Sequence, residues 1–160
     1  VDDLHLDFRN TGRIRDHWHT MTRTGLAPDL CRHTPEPYVE IHPEDAAPLG
    51  LRDGALARVT TSRAEVVVVA KLSDRQRRGA LFMPMHWSDT NAAAAVVGRV
   101  ANPATDPVSG QPELKRASAR IAAYHPAWRG YLLSRRQVSP IGVPYWARLT
   151  VAGGAVVDLV

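Results

Sequence analysis

The sequence predicts a mainly β domain with short helices, and three observations support this class. Two short segments, "LHLDF" and "PYVEIH", alternate apolar and polar residues with the period of a half-buried strand. A third segment, "AEVVVVAKL", is continuous and β-branched, which is typical of a strand buried on both faces. Clear helical signals are confined to the single short segment 43–50, so helices contribute little.

The first part of the chain is predicted to hold two strands, one polar loop and this helix. The strand at 4–8 runs directly into "TGRIRDHWHTMTRTG" (11–25), which is too polar for a core strand and lacks helical spacing of its apolar residues. A second strand follows at 37–42. The helix begins at Pro43, because proline fits the first helical turn, and it ends at Gly50, because glycine suits a helix stop.

The middle of the chain is predicted to add four more strands. They cover 55–61, the β-branched run 64–72, the segment 80–85 and the segment 117–124. The third of these must end at or near its proline, because proline cannot donate to a strand ladder. Between the last two strands, 88–110 reads as irregular or weakly helical, because proline and glycine interrupt it.

The composition divides the chain after residue 123. A length of 160 residues suits one domain with its own hydrophobic core, and we assign that domain to 1–123. The remainder, 124–160, holds two of the four tryptophans and three prolines. We expect it to be an extension that packs on the main unit or the start of a further module. The opening "VDDLHLDF" carries no initiator methionine and no leader, so we expect a segment of a longer polypeptide.

The charge balance points to an anionic partner. The net charge is +4 and the basic excess is arginine, since only Lys71 and Lys115 are lysines. Arginine presents a planar fork that matches phosphate and carboxylate. No zinc finger, helix-turn-helix or basic–aromatic pattern suggests nucleic acid, and no apolar run approaches the length of a membrane span. The single cysteine, Cys31, allows no internal disulfide and fits a reducing compartment.

The loop 11–25 has the composition of an anion-binding site. Its threonines and Gly12 supply hydroxyls and backbone N–H groups, and Arg13 and Arg23 supply forked donors. The competing interpretation is a solvated basic loop. Trp18 argues against that interpretation, because an indole in such a loop usually covers something.

A zinc site is the alternative for the same region. His17 and His19 are two positions apart, as are Cys31 and His33, and these side chains are proper zinc ligands. A single Cys-x-His pair without a matched second pair is a weak signal. We therefore predict no bound metal.

Two later segments are further candidates. "FMPMHW" (82–87) is a buried strand that runs into a proline, and we expect it then to expose Met85, His86 and Trp87. It reads as a pocket wall or, alternatively, as a capped strand end. "NPATDPVSGQPELKR" (102–116) is a polar loop held by prolines. Loops of this length in a compact domain are more often functional than merely connecting.

The order and spacing of "TGRIRDHWHTMTRTG", "PYVEIHPEDAAPLGLRDGALARVTTSRAEVVVVAKLSDRQRRGALFMPMHW" and "NPATDPVSGQPELK" resemble one family. This is the C-terminal molybdopterin-dinucleotide-binding domain of bacterial molybdenum oxidoreductases, and the segments are most similar to assimilatory nitrate reductase catalytic subunits. The resemblance covers residues 4 to 123, and "PAWRGYLLSRR" in the tail is also similar. It implies a six-stranded double-psi β-barrel, bis-molybdopterin guanine dinucleotide with molybdenum as cofactor, and reduction of nitrate to nitrite.

The resemblance also implies roles for individual residues. The loop after the first strand would grip the guanosine-dinucleotide pterin, Met85 and His86 would face the substrate funnel, and Lys115 would meet the cofactor. Periplasmic relatives carry asparagine where this chain has Gly98, so Asn102 or Asn91 could serve instead. The implied cofactor-binding residues are Thr11, Gly12, Arg13, His17, Trp18, His19, Thr20, Met21, Thr22, Arg23, His86, Asn102 and Lys115.

The family's layout implies what this chain lacks. The molybdenum-ligating cysteine and the iron–sulfur cysteines belong to earlier domains of the same polypeptide, and Cys31 matches none of them. We therefore expect no catalytic residue and no activity in this chain alone. Upstream domains are the expected partners, with an unidentified electron donor, and the cytoplasm is the expected location. The alternatives are the same domain of a formate dehydrogenase or, outside the family, a stand-alone anion-binding barrel without a redox role.

Overall fold

Six strands close into a barrel in the computed structural model, which describes residues 3–93 and 97–160, with 7–10 described by backbone alone. Around the barrel the order is β1-β5-β2-β4-β3-β6. The strands are β1 (Leu4–Gly12), β2 (Tyr38–Ile41), β3 (Leu56–Thr60), β4 (Glu65–Leu72), β5 (Ala80–Pro84) and β6 (Ala117–Ala123). All six lie where the sequence predicted strands, because their apolar residues alternate or are β-branched.

The pairing of the strands has an internal two-fold pattern. Two pairs are parallel, β1 with β5 and β2 with β4, and the other four are antiparallel. Exchanging β1, β2 and β3 with β4, β5 and β6 reproduces the same set of pairs and directions. Two interlocked halves of this kind make a double-psi β-barrel, so the predicted fold is confirmed.

Strand β4 is buried on both faces, as its sequence predicted, and the structure gives the reason. Val66 and Val68 point into the barrel core, together with Val39, Ile41 and other apolar residues. Val67 points the other way, into a second apolar cluster outside the barrel. A continuous apolar run is therefore required, because water reaches neither face.

The helices are few and short. The predicted helix is one turn of α-helix, which we call α2 (Pro43–Ala46), continued by a 3-10 turn at Ala47–Leu49 and ended by Gly50 at φ 61°. The sequence analysis missed α1 (Pro28–His33), because six residues carry too little periodicity to be recognised. Within the described ranges no helix has the length and apolar character that crossing a membrane would require.

Residues after the barrel form a separate three-stranded sheet that the sequence analysis did not assign. Its strands are β7 (Gly130–Ser134), β8 (Trp146–Val151) and β9 (Gly154–Leu159), in the order β7-β9-β8. Its first strand is mostly exposed, which removes the alternation that would have identified it. We call this unit the C-terminal sheet.

The C-terminal sheet packs on the barrel through both backbone and side chains. The backbone N–H of Arg148 donates to the carbonyl of Asn91 at 2.8 Å, and the N–H of Ala93 donates to the carbonyl of Trp146 at 2.8 Å. Tyr145 is fully buried in the second apolar cluster, where it joins Met21 and Trp87 of the barrel unit. The sheet therefore contacts the segments that follow β1 and β5.

Candidate functional site

The fold brings the candidate loop and "MPMHW" together because they follow two neighbouring parallel strands. Gly12 of β1 pairs with Pro84 of β5, and the Met85 N–H donates to the Gly12 carbonyl at 3.0 Å. Thr11 and Gly12 therefore lie at the end of β1, whereas the sequence analysis had placed both residues in the loop 11–25. Gly12 has a packing role, since a Cβ there would lie 2.8 Å from Cε2 of Phe82.

His17 belongs to the loop, but its side chain is buried. Its Nε2 lies 3.4 Å from the Thr34 carbonyl and its Nδ1 lies 3.3 Å from the Thr24 hydroxyl. The neutral tautomer with a proton on Nε2 satisfies both contacts. Burial lowers the pKa of His17, opposed by the hydrogen bond to the Thr34 carbonyl, so the ring is held uncharged.

His86 fastens the loop to the end of β5. Its Nε2 accepts from the Ile14 N–H at 3.0 Å, and its Nδ1 donates to the His19 carbonyl at 2.7 Å. Only the neutral ring with a proton on Nδ1 makes both bonds. The His86 ring lies 5.9 Å from the His17 ring, so the two histidines form one layer.

The expectation that the strand end exposes His86 and Trp87 is wrong. Their side chains are 1% and 2% exposed, whereas Met85 is 37% exposed. The reason is the packing of the C-terminal sheet and the loop over this segment, which the local sequence does not encode. Trp87 packs edge-on against His17 at 5.4 Å. We call His17, Met21, His86 and Trp87 the buried underside of the loop.

Two residues of the loop adopt left-handed backbone conformations without being glycine. His19 has φ 50° and Met21 has φ 60°. Such conformations cost free energy and persist where the surroundings fix them. The His86 bond to the His19 carbonyl and the burial of the Met21 side chain supply that support.

The other predicted residues of the loop face solvent. The Arg13 guanidinium lies 5.4 Å from the centroid of the Trp18 ring, and the His19 ring stacks on Trp18 at 5.2 Å and 12°. Among the described residues, Arg13 and Arg23 have no carboxylate partner, whereas Arg15 is paired with Asp16 at 3.0 Å. We call this set the exposed row: Arg13, Trp18, His19, Thr20, Thr22 and Arg23.

Lys115 and Thr11 lie together at the end of β1. The Thr11 hydroxyl donates to the Leu114 carbonyl at 3.0 Å, and the Lys115 ammonium donates to the Thr11 carbonyl. Thr11 is 2% exposed, so its hydroxyl anchors the 102–116 loop to the barrel. The ammonium is held at the strand end from which the candidate loop starts.

The two asparagines considered as substitutes for Gly98 lie in different places. Asn102 donates to the Glu113 carboxylate at 2.7 Å and accepts from the Ala104 N–H at 3.2 Å, so it stabilises its own loop. Asn91 lies beside the candidate loop, where its Nδ2 is 3.5 Å from the position a Gly25 Cβ would take. Of the two, only Asn91 is near the loop.

The histidines and Cys31 do not form the zinc site considered above. His17 uses both ring nitrogens within the protein, and His33 faces Asp16 at 3.4 Å. Cys31 is buried with its Sγ 3.4 Å from the Thr24 carbonyl, and burial raises the pKa of its thiol. Among the residues whose side chains the structure describes, no three histidine, cysteine or carboxylate groups converge on one point.

The sequence analysis missed residues that hold the site from outside the loop. The Thr150 hydroxyl of β8 donates to the Gly25 carbonyl at 2.6 Å. Tyr145 donates to the Glu36 carboxylate, and burial raises the pKa of both groups. Arg129 bonds Asp158 at 3.0 and 3.1 Å. The available sequence signal for Tyr145 was the segment "PYW", in which a tyrosine adjoins a tryptophan. Nothing in the neighbouring sequence indicated that Glu36 is its partner.

Comparison with known proteins identifies the class. The model of the family described as "Molydopterin dinucleotide binding domain" matches residues 8–118, and the chain belongs to this family. The fold agrees with the solved structure of acetylene hydratase from Pelobacter acetylenicus, with a TM-score of 0.62, 20% identity, and coverage of 74% of this chain and 18% of that one.

The individual relatives include nitrate reductases and formate dehydrogenases. The chain is 45% identical to a nitrate reductase of Klebsiella oxytoca over 90% of its own length, and it spans 17% of that protein. It is 40% identical to an F420-dependent formate dehydrogenase 1 subunit alpha of Methanococcus maripaludis, over 69% of this chain and 16% of that one. A periplasmic nitrate reductase of Desulfovibrio desulfuricans is 38% identical over 68% of this chain, and the match covers 14% of that protein. The chain thus corresponds to less than a fifth of each relative's length.

Proposed function

We propose that this chain is the cofactor-binding domain of a molybdenum-dependent nitrate reductase, in which the exposed row grips the guanosine-dinucleotide pterin. The observation that supports this proposal is the exposed row itself. Arg13 lies over the Trp18 ring, which stacks with His19, and Arg23, Thr20 and Thr22 are exposed on the same loop. Neither arginine has a carboxylate partner among the residues whose side chains the structure describes. Donors of this kind suit a diphosphate, and a planar aromatic stack suits a pterin or a guanine.

The residues present fit such a cofactor in charge and shape. The arginines of the exposed row would hold phosphoryl oxygens, and Trp18 would cover one face of a planar ring. When bound, the cofactor supplies the redox chemistry through its molybdenum. The chain's own contribution is binding and orientation. His17 and His86 hold the loop in one conformation through their hydrogen bonds to Thr34, Ile14 and His19.

A nitrate reductase is favoured over a formate dehydrogenase by the degree of similarity. The Klebsiella oxytoca relative matches 90% of this chain, whereas the formate dehydrogenase matches 69%. In this proposal the chain is part of a longer polypeptide, which we call the parent polypeptide, and the reaction of the parent would be reduction of nitrate to nitrite. Assays of the parent polypeptide with nitrate and with formate, using an artificial electron donor or acceptor, distinguish the two.

Met85 is our candidate for the lining of the substrate funnel. Its side chain is partly exposed beside the loop, whereas His86 reaches no solvent within this chain. Replacing Met85 by Ala in the parent should alter the KM for nitrate or the rate at full molybdenum content. His86 is a poorer probe of the funnel, because its loss also releases the loop.

The partners in this proposal are upstream domains of the same polypeptide, which carry the molybdenum-ligating cysteine and an iron–sulfur cluster. One cysteine is too few for a four-cysteine cluster in this chain. We therefore propose that residues 1–160 alone have no nitrate reductase activity, bind neither nucleic acid nor membrane, and act in the cytoplasm.

The test is cofactor occupancy in the parent polypeptide. Arg13→Ala or Lys115→Ala should lower molybdenum and releasable guanine nucleotide per polypeptide, while activity per bound molybdenum stays nearly constant. Arg75→Ala is the matched control, because Arg75 is an exposed arginine of a turn outside the site. If the Arg13 and Lys115 variants kept their full molybdenum content but lost turnover, the assignment of these residues to cofactor binding would be wrong. A direct catalytic role would then take its place.

A further inference from the structure

A second cationic site lies between the loop and the C-terminal sheet. A cavity of about 470 Å³ opens there, and it shares Thr20 and Thr22 with the exposed row. Its walls come from three segments: the loop, the residues after Trp87 and the C-terminal sheet. The lining residues that could meet a ligand through free donors are Thr20, Thr22, Arg135, Arg136 and Arg148.

The described residues of the lining include three arginines and no carboxylate. Arg135, Arg136 and Arg148 contribute their positive charge to the cavity, and no aspartate or glutamate with a described side chain balances it there. None of the three forms an ion pair within the described ranges. Elsewhere arginines are neutralised by nearby acids, as in the pairs Arg58–Glu65, Arg78–Glu44, Arg120–Asp3 and Arg129–Asp158.

Arg148 is partly withdrawn from water and is held in place. Its guanidinium donates to the Thr90 carbonyl, and the Gln137 amide oxygen, turned toward it, lies 3.1 Å from Nη1. Burial lowers the pKa of this arginine, with no acid to oppose the shift. A desolvated cation without a counter-ion is costly, and an anion in the cavity would offset that cost.

We propose that this cavity binds a phosphoryl group, either a free phosphate ion or the phosphoryl group of a nucleotide. The guanidinium groups supply forked donors, and the exposed hydroxyls of Thr20 and Thr22 add two more, which together suit phosphate oxygens. The three arginines lie beyond the residues that the family model matches, which end at 118. The inference goes beyond the proposed function, and it touches that function only when the phosphoryl group belongs to the cofactor.

Calorimetric titration of the full chain at constant ionic strength tests this site, with inorganic phosphate and GDP as separate probes. The double variant Arg135→Gln/Arg136→Gln should bind phosphate about tenfold more weakly than the unmodified chain, because charge-assisted hydrogen bonds are lost. Both side chains are exposed, so the fold should be unaffected. The control Arg75→Gln/Arg77→Gln removes the same charge from an exposed turn and should bind phosphate unchanged.

The outcomes separate the two sources and the two proposals. Equal weakening of phosphate and GDP supports a free-ion site, whereas weakening of GDP beyond that of phosphate supports a nucleotide phosphoryl group. An Arg13→Ala variant that loses GDP affinity but keeps phosphate affinity separates the exposed row from this cavity. The proposal is overturned if phosphate fails to bind the unmodified chain at millimolar concentration, or if the control variant loses as much affinity as the double variant.

Discussion

The two faces of one loop differ more than their sequence suggests. Trp18 is 54% exposed and stacked with His19, whereas Trp87, which supports the loop from below, is 2% exposed. His17 and Trp18 are adjacent in the chain, yet one is buried and the other faces solvent. The comparison teaches that a ligand-binding surface and its support are interleaved residue by residue, so each can be altered separately.

The largest expected effect is on the buried underside. Trp87→Ala should lower the free energy of unfolding by about 3–5 kcal/mol, because it leaves a cavity beside His17 in the second apolar cluster. Trp18→Ala is the matched control and should change stability by only about 0.5 kcal/mol, because the side chain is exposed. Denaturant unfolding followed by circular dichroism measures both. Similar losses of unfolding free energy in the two variants would show that the two faces of the loop do not differ in their contribution to stability.

A binding effect is expected on the exposed row. Arg13→Ala should weaken GDP binding by about 1–3 kcal/mol, because a charge-assisted phosphate contact is lost. Its stability should match that of the unmodified chain. Calorimetry with GDP measures the affinity, with Arg75→Ala as the control. Unchanged GDP affinity in the Arg13 variant would remove the phosphate role from this side chain.

At Gly12, the last residue of β1 before the loop, stability should depend on side-chain size. Gly12→Ala should destabilise the chain by about 1–3 kcal/mol, because its Cβ would meet the Phe82 ring. Phe82→Leu replaces the ring by a smaller side chain. The double variant Gly12→Ala/Phe82→Leu should therefore lose less stability than the sum of the losses of the two single variants. Thermal unfolding of the single and double variants gives the coupling. Purely additive losses would show that this contact does not determine the choice of glycine.

The smallest effect is a dependence on pH below the ordinary histidine range. Because burial lowers the pKa of His17, the unfolded chain binds more protons than the folded chain at mildly acidic pH. Stability should therefore be full above the unfolded pKa of about 6.5 and should fall as the pH drops below it. His17→Gln should flatten this part of the profile of unfolding free energy against pH. A profile unchanged by that substitution would assign the pH dependence to other groups.

Sequence reasoning succeeded where the determinants are local. The alternation in "PYVEIH" and the β-branched run in "AEVVVVAKL" predicted β2 and β4, because side-chain period and burial are tied to strand geometry. It failed for α1, which is too short, and for β7, whose exposed residues carry no alternation. It also misjudged His86 and Trp87, because the groups that cover them come from distant parts of the chain.

By itself the sequence determined the barrel strands, the family and the set of residues around the loop 11–25, since each is recorded in local pattern or motif order. Only the tertiary structure decided which of those residues face a ligand and which support them. The bond between Ile14 and His86 joins positions 72 apart, and that between Gly25 and Thr150 joins positions 125 apart. Exposure within the loop depends on such long-range contacts, and neighbouring residues in a sequence carry no record of what the fold places over them.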